Sequence, residues 1–233
     1  MPRRKKTAST ASSRPIVMRP RLVRMSDIYD AQLSPSKSEL LQAWLPQQPW
    51  FSGDASTLVR LGAFRFDDPA GEVGIETHVV AVDGKTYQVP LTYRGAPLEG
   101  AEEFLVTTMD HSVLGPRWVY DATGDPVYAS ELAAAILTGK PVAVQYLVVG
   151  DAREALPETI AVSSTETPSA DLPELRFGAP HTVAGVTNIP AGEVIFAVLH
   201  ELETTGTSQP GHSLTAQWEG QGMPALLATA IKV

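Results

Sequence analysis

The sequence predicts an α+β fold in which an antiparallel sheet packs against one or two helices and a smaller, hairpin-rich β part follows. Three observations lead to this prediction. A capped segment near residue 40 has the apolar period of a helix, and the period then changes to two over several successive segments, as in strands. A second helix is indicated where Asp125-Pro126 precedes an apolar stripe and Gly139 follows it.

The composition excludes several classes of protein. The chain has 233 residues and no cysteine, which excludes disulfides, thiolate nucleophiles and zinc sites with cysteine ligands. No run of 18 apolar residues is present, so no transmembrane helix is predicted. The N-terminus lacks the apolar segment of a secretory signal, and we expect a cytoplasmic protein without membrane association.

Basic residues are concentrated in an N-terminal arm, residues 1–24. The arm carries eight of the 18 basic residues and no acid, whereas residues 25–233 carry 10 basic and 26 acidic residues. We expect the arm to be a disordered tail, or to lie upstream of a native start at Met25. The acidic body should repel nucleic acid, but the arm leaves polyanion binding open as a hypothesis.

The first helix is predicted in the segment SPSKSELLQAWLP, residues 34–46. Ser36 and Glu39 have the spacing of a capping box, and Pro46 should end the helix. The apolar stripe of this helix consists of Leu40, Leu41, Trp44 and Leu45.

Alternating segments follow, and each predicts a strand of the sheet. Asp83-Gly84 lies between two of them and predicts a hairpin with a type I′ turn. Pro90 has no N–H to donate, so its strand should have an open edge or a bulge there. The predicted strands are residues 58–66, 73–82, 85–94, 102–110 and 117–121.

Two acidic residues, Asp121 and Asp125, stand four apart at the predicted strand-to-helix turn. A catalytic pair of carboxylates is one interpretation, but it would need a partner or a pocket that the sequence does not indicate. The pattern favours a structural role for both. Asp125 should cap the helix that Pro126 begins, and Asp121 should accept backbone N–H groups of the turn.

Beyond the second helix the chain becomes irregular and then returns to strands. Residues 150–171 are rich in Ser, Thr, Pro and acidic residues, and we predict a linker there. Strands are predicted at residues 193–202, 212–220 and 224–233.

The motifs that usually carry chemistry are absent from the sequence. There is no glycine-rich phosphate loop, no G-x-S-x-G segment and no pair of histidines at helical spacing, so no catalytic residue, cofactor or metal site is predicted. Glu76 and His78 share a strand face, and a surface or half-buried pair is expected. The aromatic residues could form core or stack against a sugar. Structural or interaction candidates are Trp44, Trp50, Phe51, Tyr87, Trp118, Tyr120, Asp121 and Asp125.

Three segments in one order resemble a known family. LLQAWLPQQPWF, TYQVPLTYRG and RWVYDATGDP are similar to segments of the N-terminal cap domain of bacterial maltokinases and related aminosugar kinases. The chain is most similar to short, stand-alone cap-like proteins, which are often described as 1,4-α-glucan branching proteins, although no branching-enzyme motif is present. The resemblance implies a curved, cystatin-like sheet over residues 33–149 and a role in carbohydrate metabolism.

The resemblance also suggests what the second half of the chain is. In the family a two-lobed kinase follows the cap, but the segment after Gly139 is too short for both lobes. Within a small β part, residues 172–233, the segment TNIPAGEVIFAVLHELETTG (residues 187–206) is similar to a degenerate first hairpin of the kinase N-lobe, with Ala197 at the position of the nucleotide-contacting lysine. This similarity implies a pseudokinase remnant rather than an active enzyme.

The function predicted from this resemblance is non-catalytic. We expect an accessory or protein-interaction module linked to α-glucan, maltose or trehalose metabolism, with a sugar kinase, a glucan-metabolism enzyme or an oligosaccharide as its partner. A subunit or regulator of a separate sugar kinase, and a polyanion-binding protein that acts through residues 1–24, are the alternatives.

The arm should be dispensable for folding because residues 1–24 lack an apolar period. We expect a chain that starts at Met25 to have the thermal midpoint of the full chain. Since about 1 kcal/mol shifts a domain of this size by ~2–4 °C, scanning calorimetry resolves the comparison. A drop of more than a few degrees would show that the arm stabilises the fold.

Overall fold

A computed structural model describes residues 25–29, 31–149, 152–169, 172–204 and 211–233. The predictions for the arm, residues 1–24, lie outside the described residues. In chain order the elements are β1 (Met25–Tyr29), β2 (Leu33–Ser34), α1 (Lys37–Trp44), β3 (Val59–Phe66), β4 (Gly74–Val82), β5 (Lys85–Arg94), β6 (Leu105–His111), β7 (Gly115–Asp121), α2 (Pro126–Thr138), β8 (Val144–Val149), β9 (Ala152–Ala155), β10 (Ile160–Ser164), β11 (His181–Val183), β12 (Val186–Ala191), β13 (Val194–Leu199), β14 (Glu201–Leu202), β15 (His212–Trp218) and β16 (Ala225–Lys232).

The largest sheet is antiparallel and strongly curled, and it has the strand order β2-β6-β7-β5-β4-β3. The α+β fold with a curved antiparallel sheet, two short helices and further β parts is therefore confirmed. The hairpin between β4 and β5 turns at Asp83 and Gly84, whose φ angles are 48° and 81°. Positive φ at both central positions is the geometry of a type I′ turn, as the sequence predicts.

Strand β5 meets three other strands of this sheet. It pairs with β4 along its whole length, and its other edge is shared between β7 at residues 91–94 and β14 at residues 86–87. Pro90 lies between these two partners. The open edge expected at Pro90 is confirmed, because neither strand pairs with Pro90 on that side.

Helix α1 covers one face of the sheet. The Ser36 hydroxyl accepts a hydrogen bond from the backbone N–H of Glu39, and the Glu39 carboxylate accepts one from the N–H of Ser36, which completes the predicted capping box. Leu40, Leu41 and Trp44 are the buried residues of this helix and pack against β4 and β5. The core on this face consists of Leu40, Leu41, Trp44, Leu45, Val80, Val82, Tyr87, Val89, Leu91, Met109 and Val119.

Helix α2 and a second sheet cover the opposite face. This sheet is antiparallel throughout, with the order β10-β15-β16-β13-β12-β11. Its apolar residues join those of β3, β4 and α2 in one core, in which Ile136, Ile189 and Phe196 are fully buried. The three strands predicted after residue 192 all lie in this part of the fold, with β14 crossing to the large sheet.

The structure differs from the prediction between residues 150 and 171. That segment holds β9 and β10 in place of an irregular linker, and Ile160 is fully buried in the shared core. Among the many Ser and Thr residues there, a short alternation of buried and exposed side chains is easily overlooked: Ile160 packs inward and Ala161 is exposed. The division into domains remains a prediction.

A third, small sheet joins the start of the described chain to its middle. Strand β1 runs parallel to β8, and β8 pairs antiparallel with β9. A chain that starts at Met25 would keep all of β1.

Candidate functional site

One candidate site is a cavity of about 420 Å³ that lies beside the start of α1 and the turn between β3 and β4. We call it the Glu76 pocket. Its lining combines ionised groups with apolar and aromatic side chains, and its volume lies in the usual range for small-molecule sites. The charged lining residues are Lys37, Arg65, Asp67, Asp68, Glu72, Glu76 and Arg117, and the apolar ones include Leu33, Phe66, Ile75, Tyr93 and Met109.

Glu76 is a nearly fully buried carboxylate on strand β4. The Lys37 ammonium, in the first turn of α1, donates to its Oε2 at 2.6 Å. Burial alone would raise the pKa of Glu76, but the Lys37 charge and the nearby Arg65 outweigh that effect and hold the pKa well below its usual range. The side chain is therefore ionised at neutral pH.

His78 follows Glu76 on the same face and is completely buried. Its Nε2 shares a hydrogen bond of 3.2 Å with the Tyr93 hydroxyl and lies 3.8 Å from the Glu76 Oε2. Burial lowers the pKa of His78 to about 4 despite the attraction of Glu76, so the imidazole is neutral at pH 7. The expected pair is present, but it is buried and not on the surface or half-buried, because it lies on the face of β4 that also carries Val80 and Val82 into the core under α1.

Arg65 lies directly across from Glu76, in the register of β3 and β4. Its Nε is buried and has no hydrogen-bond partner among the described residues. Gly74 leaves room for the guanidinium, since a Cβ there would lie 3.1 Å from its terminal nitrogen. The sequence pattern does not predict Arg65, Lys37 or Tyr93 as site residues, although the acidic Glu76 within an apolar strand indicates that a cation should face it.

This arrangement supports binding more than proton transfer. A carboxylate whose pKa lies far below neutrality is a weak general base at pH 7. A histidine with a pKa of about 4 is almost entirely deprotonated at pH 7, so very little of it is available as a general acid. What the pocket offers is a set of fixed donors and acceptors beside apolar walls.

Four of the predicted candidates meet in one aromatic cluster between α1 and β5. The Trp44 and Tyr87 side chains are buried, whereas Trp50 and Phe51 are half-buried. Trp50 contacts Trp44 edge-on at a centroid distance of 6.1 Å, and Phe51 lies 5.1 Å from Tyr87. Trp44 and Tyr87 belong to the core under α1, and the other two rings pack against it.

His200 completes this cluster and was not predicted. Its ring stacks on Trp50 with a centroid distance of 4.2 Å and an interplanar angle of 7°. Its Nε2 shares a hydrogen bond of 2.7 Å with the Thr187 hydroxyl, and burial lowers its pKa. Because His200 precedes β14, this stack joins the segment after α1 to the C-terminal sheet.

A second cavity, of about 560 Å³, lies on the outer side of this stack. We call it the Trp50 groove. It runs between the segment after α1 and the hairpin of β11 and β12, so both halves of the chain contribute to it. Its lining residues are Pro49, Trp50, Thr182, Ala184, Gly185, Val186, Leu199, Glu201, Glu203 and Leu226.

The remaining aromatic candidates, Trp118 and Tyr120, lie on β7 and are not part of the Trp50 cluster. Trp118 is half-buried, and Tyr120 is buried with its hydroxyl accepting a hydrogen bond of 2.8 Å from the N–H of Leu98. The structure thus divides the aromatic candidates between two places.

The two acidic candidates have the local roles that the turn pattern predicts. The Asp121 Oδ1 accepts hydrogen bonds from the N–H and the hydroxyl of Thr123, and the Asp125 Oδ1 accepts one from the N–H of Val127 at the start of α2. Asp125 also has a partner that sequence analysis missed. Arg94 of β5 donates to both Asp125 oxygens, at 2.7 and 2.6 Å.

One comparison with known protein families supports the resemblance. A family model of the maltokinase N-terminal cap domain matches residues 44–125. The chain therefore contains a maltokinase cap-like domain, and the match spans the segment from the end of α1 to the N-cap of α2. A search of curated proteins finds no match.

Two further findings concern the class of site. Neither α1 nor α2 has the length and apolar character that a lipid bilayer requires of a spanning helix. Within the part of the chain that the structure describes, no three His, Asp or Glu side chains come together in a way that could hold a metal ion.

Replacement of Asp125 should test whether this residue is only a helix cap. Asp125→Ala removes the cap and leaves Arg94 without its partner, so we expect a loss of about 3 kcal/mol, more than a lost cap alone costs. Urea unfolding measures the difference. Asp121→Asn, which keeps the Oδ1 acceptor, is the matched control and should cost less than about 1 kcal/mol. A cost for Asp125→Ala no larger than the control's would contradict the ion-pair role.

The stability should depend on pH through His78. The unfolded state takes up a proton below the ordinary pKa of 6.5, whereas the folded imidazole stays neutral down to about 4. Stability is therefore complete above pH 6.5 and is lost as the pH falls toward 4, by on the order of 2 kcal/mol at pH 5.

Urea unfolding of the wild type and of His78→Gln at pH 5 and pH 7 checks this expectation. The variant should show a smaller difference between the two pH values, while His181→Gln, a change at an exposed histidine, should retain the wild-type difference. An unchanged pH dependence in His78→Gln would show that other groups cause the acid loss.

Proposed function

We propose that the chain is a non-catalytic accessory module of α-glucan or maltose metabolism that acts by binding a separate enzyme, such as a sugar kinase. The match of residues 44–125 to the maltokinase N-terminal cap domain carries this proposal. The matched family is described as a domain at the N-terminus of maltokinase, where it belongs to the same chain as the enzyme. A separate chain with a similar domain is therefore a candidate to associate with an enzyme of the same pathway.

The C-terminal sheet supports the non-catalytic part of the proposal. Phosphoryl transfer requires a cation that holds the nucleotide phosphates, and in protein kinases this lysine lies on the third strand of the N-lobe. Strand β13 is the third strand of the meander β11-β12-β13, and Ala197 on it is buried between Asn188 of β12 and Thr229 of β16. A methyl group in a packed sheet cannot act as that cation.

The Trp50 groove is the surface that we assign to the partner. Indole and aliphatic groups line it, and aromatic anchors in pockets dominate the energetics of many protein interfaces. Glu201 and Glu203 also line it, and Glu201 pairs with Lys85 of β5 at 3.0 Å, so the lining suits a partner with polar side chains around an apolar anchor. The groove is shared by the cap-like segment and the C-terminal sheet, so it exists only when both are folded together.

A pull-down from a native extract with the full chain as bait tests the proposed function. We expect a sugar kinase or another glucan-metabolising enzyme to be enriched. Val183→Glu, which places a charge on an exposed residue next to the groove, should reduce the recovery at least tenfold, about 1.4 kcal/mol of binding energy.

Val113→Glu is the matched control, because Val113 is exposed to a similar degree but lies on the turn between β6 and β7. Equal recovery of the partner with both variants would show that the partner does not bind at the Trp50 groove. No enrichment of any carbohydrate enzyme with the wild type would overturn the proposed function.

The same proposal predicts the outcome of a titration with Mg-ATP. Beyond Gly139 the chain has two lysines, of which Lys140 pairs with the buried Glu131 and Lys232 is exposed at the end of β16. With alanine at position 197 in place of a lysine, calorimetry should show no saturable heat of binding at millimolar Mg-ATP. Saturable binding in the micromolar range would contradict the degenerate-kinase interpretation of residues 172–233.

A further inference from the structure

The Glu76 pocket contains a buried donor that the protein itself does not satisfy. The Arg65 Nε is shielded from solvent and has no partner among the described residues, whereas Lys37 is held by Glu76. An unmet buried N–H costs about 1–3 kcal/mol, and such groups are rare in folded proteins unless a ligand or a water molecule completes them. Arg65 itself lines the cavity, so its guanidinium is placed to donate to an acceptor on a molecule there.

The charges around the pocket nearly cancel. Three cationic side chains and four carboxylates line it, and the Asp68 carboxylate already accepts the backbone N–H groups of Ala70, Glu72 and Val73. A surface of balanced charge gives no general attraction for an anion or a cation. The ligand that fits such a lining is neutral and offers donors and acceptors together.

Hydroxyl groups meet that requirement, because each can donate one hydrogen bond and accept others. A ring of hydroxyl-bearing carbons would direct its acceptors to Arg65 and its donors to carboxylates such as Glu72, which is exposed at the pocket. Its C–H faces would contact Phe66, Tyr93 and Met109. The cavity of about 420 Å³ is large enough for a small-molecule ligand of this kind.

We propose that the Glu76 pocket binds a neutral sugar, with a glucose unit held between Arg65, Glu72 and the Tyr93 face. The choice of glucose among sugars rests on the proposed link to α-glucan metabolism. The binding itself rests on the Arg65 Nε, which has no hydrogen-bond partner among the described residues, on the balanced charge and on the apolar walls. The pocket and the Trp50 groove are lined by entirely different residues, so the sugar and a protein partner occupy separate sites.

Calorimetric titration of the full chain with maltose tests this proposal. We expect saturation with a Kd in the millimolar range or below, which titration to about 50 mM covers. Arg65→Met keeps the aliphatic stem but removes the donors, and it should weaken binding at least tenfold. Glu72→Gln changes an exposed side chain, so it should leave the thermal midpoint unchanged and still weaken binding. Arg176→Met, at an exposed arginine outside the pocket, is the matched control and should bind as the wild type does.

The results separate failure of the sugar-site proposal from failure of the proposed accessory function. No saturation with maltose or glucose, or equal weakening by Arg176→Met, overturns the sugar site, and so does saturable binding of phosphate or glutamate in place of maltose. If Arg65→Met fails to fold, as judged by circular dichroism, Glu72→Gln decides alone. A chain that captures a carbohydrate enzyme but binds no sugar retains the proposed function and loses only this inference.

Discussion

The structure depends on the burial of both faces of the large curled sheet. Strand β4 has side chains in two cores, one under α1 and the other under α2 and the C-terminal sheet, and the apolar side chains of β5 join the core under α1. A fully buried Leu, Ile or Val contributes about 1.5–3 kcal/mol, and β4 and β5 together place Ile75, Val79, Val89 and Leu91 in these cores. Burial of both faces explains why neither helix nor the second sheet can be treated as a separate addition to the cap-like segment.

Burial on both sides imposes a second constraint: the polar side chains of these strands must find hydrogen-bond partners inside the protein. Gln88 lies on the face of β5 that points to the C-terminal sheet, and its amide donates to the carbonyl oxygens of Leu199 and Leu227. Glu76 and His78 are buried on β4, where Lys37 of α1 and Tyr93 of β5 are their partners. Removal of one partner leaves a buried polar group unsatisfied, which costs more stability than the intact pair contributes. These contacts therefore favour one position of α1 and of the C-terminal sheet relative to β4 and β5.

The parts of the fold that sequence could predict are those that short-range patterns determine. The capping box at Ser36, the turn at Asp83-Gly84 and the start of α2 at Asp125 each depend on residues within a few positions of one another. The same local rules failed between residues 150 and 171, where β10 gains its stability from pairing with β15, a strand about 50 residues away.

The candidate site could be predicted only in part for a related reason. Trp44, Trp50 and Phe51 are conspicuous as aromatics close together in the sequence, and they do form one cluster with Tyr87. The Glu76 pocket is assembled from α1, β3, β4 and β5, so nothing in the spacing of Lys37, Arg65 and Tyr93 relates them before the strand register is known. Only the register shows that Arg65 faces Glu76. The two cavities lie against different elements of the same architecture: residues of α1, β3 and β4 line the Glu76 pocket, and Trp50 and the β11–β12 hairpin line the Trp50 groove. A ligand in either cavity would therefore contact the elements whose packing holds the sheet, which gives binding a direct route to the stability of the whole chain.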